Sequence, residues 1–555
     1  MISEMQRSSP WVVSAAVSGV VLAPFLALAV PFQAGLVLQF AVIVALLAGV
    51  WLGVGVRPPF GDWPRLVRLG LGLYGGAALY GLAVGLLAAN PLRHVLSQTA
   101  ALLLLPAAAV AFAGGAREHP HALAWGFAAA VPLALVVHLL AIAFPALGWG
   151  DPIERFRFLL RNDAGMAGAA PLVAMTLGGY WLATRHRWAF AAWVGVVLLV
   201  AGIMSRGGWL ATGVGVVGVA VFLARRPARF LGGVAAAAVL LVVVWWFAAG
   251  VVGQRGRVVR REGTVAATQA DEEPRYRAVA TGDESAWVQL AERMPVGGAG
   301  LELEVAYSGA GGGGAQVVLA LDASPVPAEP ALLALPPCGG RCTAIRLLPT
   351  PTSAALLDLA LSVPEGGGSW AVYGWEVRQF PTLLDVYWRQ LQLRARELAV
   401  GLVAPQRDRN LDYRARELEA VVARWHAAPL ARRLLGHGLG ATFPFPNSSW
   451  DEHGRRITVP EASYIHNFFV FLGFKLGVGG LAALAGLAVL LVWAWREGRR
   501  LDERMVPWPA AVLAVGLAVY LLWSVSSPEI YDFRVAPLWG MLLATAIATT
   551  PPPQP

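Results

Sequence analysis

LGLGLYGGAALYGLAVGLLAA, residues 69–89, runs for twenty-one residues without a charged side chain. As an α-helix such a run rises about 30 Å, the thickness of a bilayer's hydrocarbon core. Comparable runs recur, and about twelve membrane helices are expected, near 11–30, 35–56, 69–89, 96–115, 122–146, 164–184, 188–204, 208–224, 229–250, 466–495, 506–526 and 534–549. The first is followed at once by another apolar run and lacks a small-residue cleavage site, so it is read as a helix, not a signal peptide. The composition agrees: 57% of the 555 residues are hydrophobic, 14% are charged, and the mean hydropathy is +0.59. A soluble globular protein carries about a quarter charged residues.

The membrane part does not use up the chain. Residues 1–250 hold nine of the expected helices and 466–549 hold three, with 550–555 as a disordered tail. The polar stretch 251–465 between them reads as a large insertion. From 285 to 380 it alternates in short segments such as LELEVAY, AQVVLALD and SWAVYGWEV, separated by Gly/Pro turns, which predicts a β-sandwich-like subdomain. From 381 to 435 the period becomes helical, amphipathic and rich in arginine, while 444–465 reads as a loop leading into the tenth helix. The expected fold is a polytopic α-helical membrane protein with a large extramembrane insertion.

The net charge of +9 does not point to nucleic acid. The insertion holds 22 Arg against 23 Asp and Glu, so the excess sits in short loops between apolar runs. Arg57, Arg65, Arg68, Arg117, Arg185, Arg187, Arg225, Arg226, Arg229, Arg496, Arg499, Arg500 and Arg504 fall in alternate loops, which the positive-inside rule puts in the cytoplasm. The insertion then faces outward, into the periplasm of a bacterial inner membrane. Two of the outward loops are also basic. Residues 147–163 carry Arg155, Arg157 and Arg161, and the turn MSRGGW carries Arg206. Arginine beside lipid on that side is costly and marks a functional candidate, with interface snorkelling as the plainer explanation.

Several chemistries are excluded or disfavoured. Lys475 is the single lysine and no glycine-rich loop precedes it, so there is no Walker A loop. There is no HExxH, no GxSxG elbow and no convincing carboxylate cluster for a metal, and no cofactor is expected. Cys338 and Cys342, in CGGRC, suit a small disulfide loop in an oxidising compartment better than half of a metal site.

His466 is different from the other histidines. It opens the tenth helix at the outer water–lipid boundary, within EASYIHNFF. An imidazole titrates near neutral pH and can take the proton of an attacking hydroxyl. Arginines at the same depth supply a complement, because guanidinium forks bind phosphate oxygens and stabilise a departing pyrophosphate.

The stretch 466–480, HNFFVFLGFKLGVGG, has His-Asn, nine residues, then Gly477-Val478-Gly479-Gly480. It resembles the signature of the O-antigen ligase and O-antigen polymerase superfamily. RFRFLLRNDAGMAGAA at 155–170, SRGGWLA at 205–211 and RRLLGHGLGATF at 432–443 resemble further family stretches in the same order. The resemblance implies a glycosyltransferase, independent of metal and cofactor, that takes a glycan from undecaprenyl pyrophosphate on the periplasmic face, with inversion. By that resemblance His466 is the general base and Arg206 binds pyrophosphate. Arg157 or Arg161, and Arg414 or Arg416, supply further phosphate contacts, while Glu461, Tyr464 and Asn467 orient the imidazole or touch glycan or acceptor. The acceptor is lipid A core for a ligase, a glycan repeat for a polymerase, or a protein for an O-oligosaccharyltransferase; lipopolysaccharide or polysaccharide biosynthesis is the setting. The sandwich departs from the family plan, and WAVYGWEV offers aromatics for stacking on sugar or for a core. A non-enzymatic flippase or transporter of lipid-linked glycan is the competing expectation.

Overall fold

In the computed structural model the described residues are 10–23, 32–54, 62–143, 164–223 save 204, 257–263, 273–280 and, with short breaks, 285–499, followed by 508–550. The expected helix at 229–250 and the loop with Arg155, Arg157 and Arg161 lie outside them. The chain forms two compact units, one of residues 1–238 with 394–555 and one of residues 239–393.

The first unit is mostly helical. Among the described residues eight helices precede the sandwich: α1 Pro10–Leu22, α2 Phe32–Val54, α3 Arg65–Leu87, α4 Leu92–Glu118, α5 Ala122–Ala143, α6 Ala164–Thr184, α7 Arg187–Ile203 and α8 Arg206–Leu223. Five helices among the described residues are long and apolar enough to cross a membrane: α3, α4, Met166–Thr184 within α6, α8, and Val478–Gly498. Six further apolar helices are shorter. Leu69, Leu79, Leu86 and Leu87 of α3 are more than half exposed, as suits helices whose outer faces meet hydrocarbon. Small residues set the close crossings. A Cβ on Gly70 would meet the Gly486 carbonyl oxygen at 2.9 Å, so α3 and Val478–Gly498 touch backbone to backbone.

The second unit is a pair of antiparallel sheets around one core. Its strands are β1 Arg257–Gly263, β2 Tyr276–Ala280, β3 Ala286–Val296, β4 Gly300–Ala310, β5 Ala315–Asp322, β6 Ala331–Leu335, β7 Cys338–Pro349, β8 Ala355–Val363 and β9 Gly368–Phe380. One sheet runs β1-β9-β4-β7 with β2 also on β9, and the other runs β3-β8-β5-β6. The sandwich begins earlier than the expected 285, because β1 and β2 both pair with β9. Their sequences, RVVRREG and YRAVA, carry arginines that obscure the alternation. Trp370 and Trp375 of β9 are fully buried in the core, so neither is available to stack on a sugar. Cys338 and Cys342 are joined by a disulfide.

Helix α9, Leu383–Val403, follows β9. Its Arg389 grips the buried Glu302 of β4 with Nε at 2.6 Å and Nη2 at 3.0 Å. Then come α10 Arg409–His426 and α11 Leu430–Leu435. The expected loop at 444–465 is instead a hairpin, β10 Phe443–Trp450 with β11 Arg456–Ala462. Two prolines in FPFPNSSW argue against a strand, and the ladder accommodates them with a register shift between Pro444 and Asn447.

The expected helix 466–495 is also broken. It divides into α12 Phe468–Leu476 and α13 Val478–Gly498 at Gly477, whose φ is 54°. The break frees the carbonyls of Phe474 and Lys475, which accept from His437 N (2.9 Å) and Gly438 N (2.8 Å). Helices α14 Trp508–Trp523 and α15 Ala536–Thr549 complete the unit, α15 packed along α4.

Candidate functional site

The glycine turn GHGLG, 436–440, threads into the helical unit and anchors the start of the β10–β11 hairpin. Leu439 N donates to Gly81 O, Asn90 Nδ2 donates to the carbonyls of His437 (2.8 Å) and Leu439 (2.9 Å), and Gly440 N donates to Gln98 Oε1 at 2.8 Å. Gly438 has φ 82°, and any Cβ there would strike the backbone of Gly85. Lys475 is buried and donates to the carbonyls of Ala441 and Ser463, so the single lysine ties both ends of the hairpin to α12. His437 stacks on Phe474, and burial lowers its pKa, a core arrangement.

Residues 463–467 leave this hairpin and enter α12. Asn467 caps the helix: its Oδ1 accepts from Val470 N at 3.0 Å while its Nδ2 donates to Val525 O at 2.9 Å. Both ends of the amide are thereby engaged with backbone. Phe468 N donates to Ser524 O, which ties the start of α12 to the loop 524–535.

His466 stands one residue before this cap. Its Nδ1 lies 2.9 Å from Glu417 Oε1, and its backbone N donates to Glu417 Oε2 at 2.9 Å. Glu417, on α10, is almost wholly buried. A carboxylate acceptor on Nδ1 favours the tautomer with its proton there, leaving Nε2 with a lone pair. Among the described residues Nε2 has no hydrogen-bond partner. Tyr413 and Tyr464 set their rings edge-on to the imidazole, both at 87°, and restrict its rotation. Tyr413, Arg414, Glu417 and Val421 share one face of α10 by their helical spacing.

The arginines gather unevenly. Ser205 caps α8, its Oγ accepting from Gly208 N at 3.1 Å, and Arg206 is the first residue of that helix. A cation at a helix N-terminus opposes the helix dipole, so the position suits a bound anion. Arg206 also donates from Nη1 to Glu397 O at 3.3 Å. Arg414 lies within electrostatic range of Arg206, Tyr464, Glu417 and Glu529. Burial and the like charge of Arg206 lower its pKa from the ordinary arginine value, against the pull of Tyr464, Glu417 and Glu529. Arg416 is exposed on another side of α10. Glu461 is exposed at the hairpin and accepts from the Thr442 hydroxyl. Tyr464 is 43% exposed beside His466. His466, Arg206, Arg414 and Tyr464 therefore belong to one neighbourhood of the first unit, while Asn467 serves the helix start. Arg157 and Arg161 fall outside the described residues.

Two carboxylates of this neighbourhood escaped sequence reading. Glu417 looks like any residue of a charged amphipathic helix, although its spacing from Tyr413 and Val421 marks the inward face. Glu529 sits in the loop 524–535, buried, with Oε1 accepting from Ser527 Oγ at 2.8 Å and Oε2 without a partner among the described residues. Burial, and then the charge of Asp532, pushes its pKa up to about 8. Asp532 itself is held by Arg534 through Nε (2.9 Å) and Nη2 (2.8 Å). Among the described residues no three His, Cys, Asp or Glu side chains gather as a metal site.

Comparison of the chain with family models, curated proteins and solved structures finds no match.

Proposed function

We propose that this protein is a membrane glycosyltransferase that moves a glycan from a polyprenyl pyrophosphate to a hydroxyl acceptor on the outer face of a bacterial inner membrane. The observation that supports the reading is the Glu417–His466 pair, a base with its tautomer set, with Arg414 in electrostatic range of Glu417 and Arg206 in range of Arg414. The resemblance of HNFFVFLGFKLGVGG and SRGGWLA to the O-antigen ligase and polymerase superfamily supports the same chemistry. About twelve spans with the sandwich outside belong to this proposal, as do the loop arginines Arg157 and Arg161.

The acceptor oxygen attacks the anomeric carbon from the face opposite the pyrophosphate, forming the new glycosidic bond with inversion. His466 Nε2 takes the hydroxyl proton, and Glu417 stabilises the imidazolium so formed. The bond from the anomeric carbon to the phosphate oxygen breaks, its electron pair leaving with that oxygen. Arg206 and Arg414 stabilise the departing charge.

The test is release of undecaprenyl pyrophosphate from lipid-linked glycan by detergent-purified protein, supplied with acceptor, for wild type, His466→Ala and Arg206→Ala. Loss of release in both variants with retained folding supports the transferase. Unchanged release in His466→Ala removes the general base. Lipid-linked glycan that moves between leaflets without being cleaved supports a flippase instead.

A further inference from the structure

The outer face of the four-stranded sheet carries an exposed aromatic in an unusual setting. Trp287 of β3 is 59% exposed. It pairs with Ser362 of β8, which pairs in turn with Gln316 of β5, so the three side chains form one row across three strands. The neighbouring row holds Gln289, Ala360 and Val318. The alternate residues Leu361 and Val317 are fully buried, which fixes the rows as outward-facing. Gln289 is exposed, with Nε2 donating to Ala291 O at 2.6 Å.

We infer that this face is a binding platform for a neutral glycan, with the Trp287 indole as the stacking surface. The inference rests on the proposed glycan chemistry of the protein, and it moves the sugar contact from the buried Trp370 and Trp375 to Trp287. Three strands span roughly 10 Å and two rows roughly 7 Å, the footprint of one or two sugar rings. The flat indole meets the axial C–H face of a pyranose, while the Gln316 and Gln289 amides and the Ser362 hydroxyl meet its hydroxyls. Ala360, at the centre of the second row, is itself buried, so the open surface is Trp287 and Gln289 with the half-buried Ser362 and Gln316. No side chain in the two rows is charged; Asp358, a row further on, accepts from Arg293 N at 2.6 Å. That composition suits neither an anionic membrane surface nor a charged peptide. An area of roughly 70 Å² is far below the ~800 Å² that a stable protein partner covers.

The test uses the full-length protein in detergent and a panel of neutral oligosaccharides with glucose, galactose, mannose or rhamnose backbones, followed by saturation-transfer NMR and titration. Wild type is expected to bind at least one, Trp287→Ala to weaken it about tenfold, and Trp287→Phe to recover part of the loss. Gln316→Ala is expected to weaken it several-fold. An unchanged melting temperature shows that the sandwich has kept its core. Binding equal to wild type in Trp287→Ala, or no binding of any panel member by wild type, overturns the platform. The measurement contains no lipid-linked donor, so the two readings separate. A protein that turns over donor but retains no sugar removes the platform alone. One that retains sugar through Trp287 but turns over no donor removes the transferase alone.

Discussion

Replacing Glu417 by Gln tests the site with little change of shape. Glu417 touches His466 twice, at Nδ1 (2.9 Å) and at the backbone N (2.9 Å), from a side chain 4% exposed. Glutamine fills the same volume and its Oε1 can accept one of the two donors, so the fold is kept. What it removes, on the proposed mechanism, is the negative charge facing the imidazolium of the transition state. Two unit charges about 4 Å apart at an effective dielectric near 20 interact by about 4 kcal/mol. The imidazole side chain is 29% exposed, and solvent there screens part of that energy. An expected loss of about 3–4 kcal/mol corresponds to roughly 10²–10³-fold in kcat. In the proposed mechanism the charge on His466 appears only in the transition state, so KM for the donor is expected to stay near wild type. Single-turnover release of undecaprenyl pyrophosphate, beside a thermal unfolding curve for each protein, gives both quantities. A kcat within threefold of wild type, with the fold intact, would refute the role of Glu417 in holding charge on His466.

Arg206→Lys keeps the charge but loses the fork, and an approximately tenfold fall in release is expected, against 10²-fold or more for Arg206→Ala; steady-state turnover distinguishes them. Gly438→Ala places a Cβ against the Gly85 backbone at φ 82° and is expected to cost roughly 3 kcal/mol or more, whereas Gly72→Ala, with nothing within 4 Å, is expected to be neutral; melting temperatures in detergent check the contrast. Glu529 binds its proton more tightly folded (pKa about 8) than at the ordinary 4.5, so the stability it contributes is complete below about pH 4.5, falls as pH rises to 8, and is level above. Glu529→Gln removes that fall, with a ceiling on the order of 5 kcal/mol at pH 9 and little effect at pH 5; unfolding curves at both pH values measure it.

How much of this was legible in the sequence depends on the range of the interaction. Apolar length is a local property, so α3, α6 and α8 start and stop within a few residues of where the composition puts them. Alternation is local too, and the central strands of the sandwich follow it. The edge strand β1 does not, because it is held by β9 more than a hundred residues away and is rich in arginine, and β2, which keeps Ala278 and Ala280 in the core, is only five residues long. The break at Gly477 was hidden for the same reason. A glycine in an apolar run reads as helix, and only the incoming turn at 436–440, which needs two free carbonyls, makes a break favourable there.

The site follows the same rule. His466 and Arg206 stand out in the sequence because each is out of place locally, a titratable ring at the start of an apolar helix and a cation in a short turn between two apolar runs. Glu417 is ordinary in its own helix and becomes distinctive only when α10 lies against the start of α12. Its burial is what makes it consequential, since an exposed carboxylate would be screened by water and would fix neither the tautomer nor the charge of the imidazole. Burying a carboxylate is costly, and the two donors of His466 offset that cost only while both remain in place. The pair therefore has to form together with the hairpin and helix cap that deliver His466. The same dependence couples the chemistry of the site to the glycine turn, and a destabilised Gly438 variant is expected to lose turnover before it loses its membrane helices.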